Sequence, residues 1–343
     1  MTTKPTILLI YTGGTIGMMK DYDSNALKAF DFSQISEKIP ELQQLNCQIH
    51  TISFETPIDS SNMNTQYYMD IVEIIEKNYD LFDGFVVLSG SDTMSYTSSA
   101  ISFMLENLQK PIIFTGSQLP IGDLRTDAKE NLITSIEVAS AQKNGKPMIQ
   151  EVCLYFEYKL YRANRTTKMN AEQFEAFVSM NYPPLAESGV YLKFHEHYLL
   201  RVSDENLPLI VRKKLVTDIV IIKIFPGIVE NVLKSILSIK NLKGVVLETY
   251  GSGNAPSENW FVHLIKNAIE KNIRIVNVTQ CLGGNVNQGH YETSVALKKI
   301  GVVSGKDITT EAAVAKLMYL LNENFSLIEF TNHFETSLRG EIS

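Results

Sequence analysis

The chain has 343 residues, 44% of them hydrophobic and 20% charged, with a formal net charge of −7. That length is long for one domain and points to two. The acidic balance, with no basic cluster against it, argues against a nucleic-acid or anionic-membrane surface.

Thr6-Ile7-Leu8-Leu9-Ile10 is the kind of apolar run that a buried parallel strand needs. It stops at Tyr11-Thr12-Gly13-Gly14-Thr15-Ile16-Gly17. Glycine permits a sharp turn and close approach to the main chain. Thr15 is therefore presented just past the strand's carboxyl end, the edge where open α/β sheets bind ligands. Residues 18–30 show no helical or strand period and read as a mobile loop placed to act as a lid. A strand over 48–54 follows, then the polar turn Glu55 to Asn62. The spacing of Tyr68, Ile71, Val72 and Ile75 predicts a helix over 65–78.

Strands come next over 84–88, 111–114 and 151–156, with helices over 96–108 and 125–142 between them. The first runs into Ser89-Gly90-Ser91-Asp92-Thr93, the second into Thr115-Gly116-Ser117-Gln118, and the third leads to Arg162 through Lys168. This alternation predicts an α/β protein of two layered domains with mostly parallel sheets, the N-terminal one larger. Parallel strands share one carboxyl edge, so Thr15, Ser91 and Ser117 should converge. The pattern weakens between residues 190 and 216. We therefore expect a catalytic domain over 1–190, a linker over 191–216 and a second domain over 217–343. His195 and His197 lie in the linker, two apart with no third ligand, and read as solvated. The second domain is expected to have strands over 219–224, 244–248 and 273–278. Its helices are expected over 229–239, 257–271, 293–299 and 311–321.

Cys47, Cys153 and Cys281 have no CxxC spacing and suit neither a disulfide framework nor a zinc site. Cys153 and Cys281 lie in or beside apolar runs, where a packed thiol is expected. The N-terminal apolar run is too short for a signal-peptide core, and no stretch is long enough to span a membrane. A cytoplasmic protein is expected. The phosphate loop, the dinucleotide fingerprint, HExxH and GxSxG are all missing. What remains is a set of hydroxyls with Asp92 and Lys168. A hydroxyl is a weak nucleophile unless a base stands beside it, and a desolvated lysine can be that base. Asp92 could orient the lysine or bind an ammonium. Each residue also has a plain reading, Asp92 as a helix cap and Lys168 as a solvated cation; their joint appearance at strand ends favours a site.

Across nearly the whole chain the sequence resembles the bacterial type I, cytoplasmic L-asparaginases. The motifs that carry the resemblance are Thr12-Gly13-Gly14-Thr15-Ile16-Gly17, Asp59-Ser60-Ser61-Asn62-Met63, Gly90-Ser91-Asp92-Thr93-Met94, Thr115-Gly116-Ser117-Gln118, Leu160 through Lys168, and Tyr250 through Pro256. The resemblance implies hydrolysis of L-asparagine to L-aspartate and ammonia, no cofactor, no metal, and a homotetramer of intimate dimers or a homodimer. It implies Thr15 as nucleophile and Ser91, Asp92 and Lys168 as the second catalytic group. It implies Asp59, Ser60 and Ser61 for the substrate carboxylate, and Gly14, Gly90 and Ser117 along the pocket. The activating tyrosine would be Tyr22, or Tyr291 as the alternative.

Three departures stand out. Ser91 replaces a threonine and Ser89 a histidine. Glu248 stands where members with a regulatory asparagine site carry an arginine, and its carboxylate would repel that ligand's own. Lys243 and Arg274 are the cations on neighbouring elements that could substitute. The competing readings are a mixed glutaminase-asparaginase, which differs by one methylene of substrate, and a non-catalytic amino-acid-binding protein on the same scaffold.

Overall fold

The computed structural model describes residues 4–20, 27–29, 39–202, 206–289 and 292–343, and the chain divides into two compact units, Met1–Lys213 and Lys214–Ser343. The first unit is built on an eight-stranded sheet. Its strands are β1 (Thr6–Gly13), β2 (Gln48–Ile58), β3 (Gly84–Leu88), β4 (Ile112–Thr115), β5 (Val152–Phe156), β6 (Lys159–Arg162), β7 (Ala186–Glu187) and β8 (Lys193–Phe194). They lie in the order β8-β7-β6-β5-β4-β3-β1-β2. The run from β2 to β5 is parallel, and β6, β7 and β8 add on antiparallel. β3 and β4 are buried along their whole length, which is why they read as unbroken apolar runs.

Among the described residues three helices connect these strands: α1 (Thr65–Asn78), α2 (Met94–Met104) and α3 (Ala128–Ser140). Asn64 caps α1 by accepting from the Gln66 N–H at 2.9 Å. Val86, Leu88, Ile113 and Tyr155 pack with Leu132 and Ile136 of α3 in one core cluster. Alternation along each strand turns Phe85, Val87 and Phe114 to the opposite face.

The second unit holds four parallel strands, β9 (Ile219–Lys223), β10 (Gly244–Thr249), β11 (Arg274–Thr279) and β12 (Val303–Ser304), in that order. Its helices are α4 (Glu230–Leu237), α5 (Asn259–Glu270), α6 (Glu292–Lys299), α7 (Thr310–Leu320) and α8 (Leu327–Phe334). Val245, Leu247 and Ile275 pack with α4 and α5 in one cluster, while Val246, Val276 and Val278 pack with α7 and α8 in another. Both faces of this sheet are therefore covered. Lys316 and Glu341 form an ion pair with no solvent exposure, and Lys316 also donates to the Phe334 and Thr336 carbonyls at 2.7 Å.

Several elements differ from the sequence reading. Met18–Lys20 pairs antiparallel with Leu27–Ala29 inside the stretch expected to be a loop. α2 stops at Met104 because Leu105–Glu106 turns extended to pair with Ile210–Val211, which lies in the expected linker. α3 is shorter at both ends. Gln142–Lys143 folds back on Lys146–Pro147 through Asn144 and Gly145. β6, β7, β8, β12 and α8 went unread. Cys153 is buried as expected, but Cys281 is exposed, because β11 has ended at Thr279 and the thiol lies on the turn beyond it.

Candidate active site

At the carboxyl edge of the first sheet the strand-end turns pack main chain against main chain. The Thr12 hydroxyl donates to the Leu88 carbonyl at 2.9 Å, tying the ends of β1 and β3 together. A Cβ placed on Gly14, whose φ is +87°, would fall 2.4 Å from the Gly90 nitrogen. One placed on Gly90 would fall 2.5 Å from the Ser60 Oγ. Those distances leave no room for a side chain, so glycine is a condition of the approach. The Thr93 hydroxyl donates to the Ser60 carbonyl at 2.8 Å and completes the join. Gly14, Gly90 and Ser60 are thereby brought together, with the partly buried Thr15 next in the chain after Gly14.

Ser91, Asp92 and Lys168 also meet. The Lys168 ammonium donates to Ser91 Oγ at 2.8 Å and to Asp92 Oδ1 at 2.7 Å. Lys168 is 16% exposed and Asp92 67%, so the pair bridges a sheltered floor and open solvent. The cap reading of Asp92 fails: Thr93 is the N-cap of α2 and no side chain closes that end. The plain reading of Lys168 as solvated fails with it. Lys168 is held by a short pairing of Thr167–Lys168 with Phe177–Val178. Just upstream, the Thr166 hydroxyl bonds Ser95 Oγ at 3.0 Å, and Asn164 Nδ2 donates to Ser102 Oγ at 2.9 Å. The small residues of α2 thus position the lysine.

Asp59 and Ser61 are exposed on the turn after β2. The Ser61 N–H and hydroxyl donate to Asp59 Oδ1 at 2.9 and 2.8 Å, and these bonds hold the carboxyl below its ordinary pKa. Ser117 is buried, and its hydroxyl donates to the Leu119 carbonyl at 2.6 Å. Its side chain is therefore engaged within its own loop. Ser89, at the expected histidine's place, is wholly buried. Tyr22 and Tyr291 lie outside the described residues. The sequence reading passed over Gln118, whose Oε1 accepts from the Ser91 hydroxyl at 3.3 Å. Its signal was its place in the turn after β4.

Residues 6–199 match the family model described as Asparaginase, N-terminal, and residues 218–334 the one described as Glutaminase/Asparaginase C-terminal domain. The chain is 39% identical to L-asparaginase 1 of Escherichia coli strain K12, over 99% of this chain and 98% of that one. It is 37% identical to the 60 kDa lysophospholipase of Mus musculus, covering 98% of this chain and 62% of that protein. Among solved structures, L-asparaginase I from Vibrio cholerae superposes with a TM-score of 0.87 at 37% identity, over 99% of this chain and 100% of that one.

Proposed function

The chain belongs to the asparaginase family, and from that premise we propose that it hydrolyses L-asparagine to L-aspartate and ammonia. The observation that carries the reading is the Lys168–Ser91–Asp92 cluster, set on the turn that packs against the turn before Thr15. In this reading the Thr15 hydroxyl attacks the side-chain amide carbon. Backbone N–H groups of the glycine turns stabilise the oxyanion. The amide nitrogen takes up a proton and leaves as ammonia, giving an acyl-enzyme ester on Thr15. Water then adds to the ester, aspartate leaves, and the threonine proton is restored. Lys168, oriented by Asp92, serves as the base acting through Ser91. Asp92 also meets the substrate ammonium, and the Asp59–Ser61 turn holds the α-carboxylate. Tyr22 or Tyr291 takes the Thr15 proton.

Three further assignments belong to the same reading. The protein works as a homotetramer of intimate dimers or as a homodimer. It needs no cofactor. It resides in the cytoplasm, where three free cysteines suit a reducing compartment. Among the described residues no helix is long and apolar enough to cross a membrane.

The test is steady-state ammonia release from asparagine and, separately, from glutamine, over a concentration series. Turnover of asparagine with a kcat/KM well above that for glutamine is expected. Comparable values would make the protein a mixed glutaminase-asparaginase, and binding without release would make it a binding protein.

A further inference from the structure

We propose that Gln118 is a positioning residue that holds the Ser91 Oγ in place beside Lys168; this rests on the reading of Ser91 and Lys168 as catalytic. Gln118 Nε2 donates to the carbonyls of Ala171 at 3.2 Å and Gln173 at 3.0 Å, and Oε1 accepts from Ser91 Oγ at 3.3 Å. The amide orientation is forced. Two carbonyls can only accept, so the NH₂ group must face them and Oε1 must face the serine. The direction then propagates. An ammonium can only donate, so Lys168 gives a hydrogen to Ser91 Oγ at 2.8 Å. With Lys168 as the ammonium, Ser91 sends its single proton to Gln118; the relay starts from the neutral amine, to which that proton then turns. One lone pair of Ser91 is left to face a nucleophile.

The post is rigid at its base. The Gln118 N–H donates to Asp127 Oδ2 at 2.9 Å and the Leu119 N–H to Asp127 Oδ1 at 3.1 Å. Asn131 Nδ2 donates to the same carboxylate at 3.2 Å and to the Gly116 carbonyl at 3.0 Å. Gln118 therefore joins three things: the start of α3, the turn after β4, and the segment just past Lys168. The serine at position 91 makes such a post necessary. A threonine's branched Cβ restricts χ1 and so places its Oγ, whereas a serine's χ1 can carry Oγ away unless an outside partner holds it.

The test is a double-mutant cycle on the full chain, reading kcat and KM for ammonia release from asparagine, with thermal melts to follow folding. Gln118→Met removes both hydrogen-bonding ends at similar length. We expect it to lower kcat by about ten- to a hundredfold while KM moves less than about threefold. In a Ser91→Ala background the same change should lower kcat no further, because the hydroxyl it orients is gone. In a Ser91→Thr background it should lower kcat by less than about fivefold, because the branched side chain orients itself. Retention of kcat within twofold in Gln118→Met overturns the proposal. So does an equal loss in all three backgrounds, which is the signature of a glutamine that only supports the loop. If Gln118→Met does not fold, the same cycle is run with Gln118→Leu, which also removes both hydrogen-bonding ends, and the same outcomes decide. If the wild-type protein releases no ammonia from asparagine, the functional reading falls first and the positioning role with it.

Discussion

A threonine hydroxyl turns into a nucleophile only through its surroundings; in the proposed reading those of Thr15 are the glycine turn before it and the lysine–serine–aspartate cluster on the turn that Gly14 packs against. Thr15→Ala should therefore lower kcat by about a thousandfold or more while asparagine binding stays measurable by calorimetry. Activity within a few-fold of wild type would overturn the nucleophile assignment. Lys168→Met should cost orders of magnitude in kcat; a change confined to KM would make the lysine a binding residue. Thr15 and Ser91 were legible because each lies in the turn that directly follows an apolar run, so a place at the sheet edge could be read from the chain; Lys168 stands well beyond the run that ends at Phe156, and only its company with Asp92 and the hydroxyls singled it out. Gln118 was not, since its role lies in two carbonyls more than fifty positions away. Nor could any spacing decide between Tyr22 and Tyr291.

The strands and helices around the site were legible wherever burial is uniform or periodic, as in β1, β3 and α1. The misses have local causes. Asn144-Gly145 is a strong hairpin signal, with φ of 55° and 76°, and the helical reading of 125–142 ran into it. The turn between β5 and β6 gives no such signal. Glu157 and Tyr158 both take positive φ there, 44° and 68°, in a position that favours Gly and Asn. Burial, followed by the charges of Asp127, Glu130 and Glu175, pushes the Glu157 carboxyl up from 4.5 to about 7. A folded-state pKa raised above the unfolded value means that the native chain binds the proton more tightly. The resulting stability is fully present below pH 4.5 and is lost as pH rises to about 7. Glu157→Gln should thus raise stability at pH 8 by about 1 kcal/mol, a figure reduced for solvent screening, and change little at pH 4.5. Melts at the two pH values check this; an equal gain at both would remove titration as the cause.

Across the molecule, regulation is the property on which the departures bear most directly. Glu248 lies near the carboxyl end of β10, where it accepts from the Thr310 hydroxyl at 2.7 Å and pairs with Lys223 at 3.6 Å. The cations expected to stand in for an arginine there do not reach it. Arg274 pairs in register with Gly244, and Glu248 with Val278, four positions further along β11. At about 3.3 Å per residue that is about 13 Å, at the opposite edge of the sheet. Arg274 donates instead to the Phe325 carbonyl at 2.8 Å, and Lys243 lies just before β10 at that same far edge. A zwitterion's carboxylate needs a cationic or N–H partner before it leaves water, and the cation that does stand beside Glu248, Lys223, is already paired with it. We therefore expect a hyperbolic dependence of rate on asparagine. A sigmoidal curve that turned hyperbolic on altering residues around Cys281 would show a regulatory site of different chemistry.

The contact between Gly14 and Gly90 also determines what the gene can tolerate. In a library carrying every codon at each position, selected for growth on asparagine as the nitrogen source, positions 14 and 90 should read as blank columns for all but glycine. Gly189 has φ outside the left-handed region and nothing within 4 Å of an added Cβ, so its column should fill. Survivors with alanine at position 90 would mean that the Ser60 turn can retreat, and that the spacing between the two hydroxyl-bearing turns is inherited from somewhere other than their backbones.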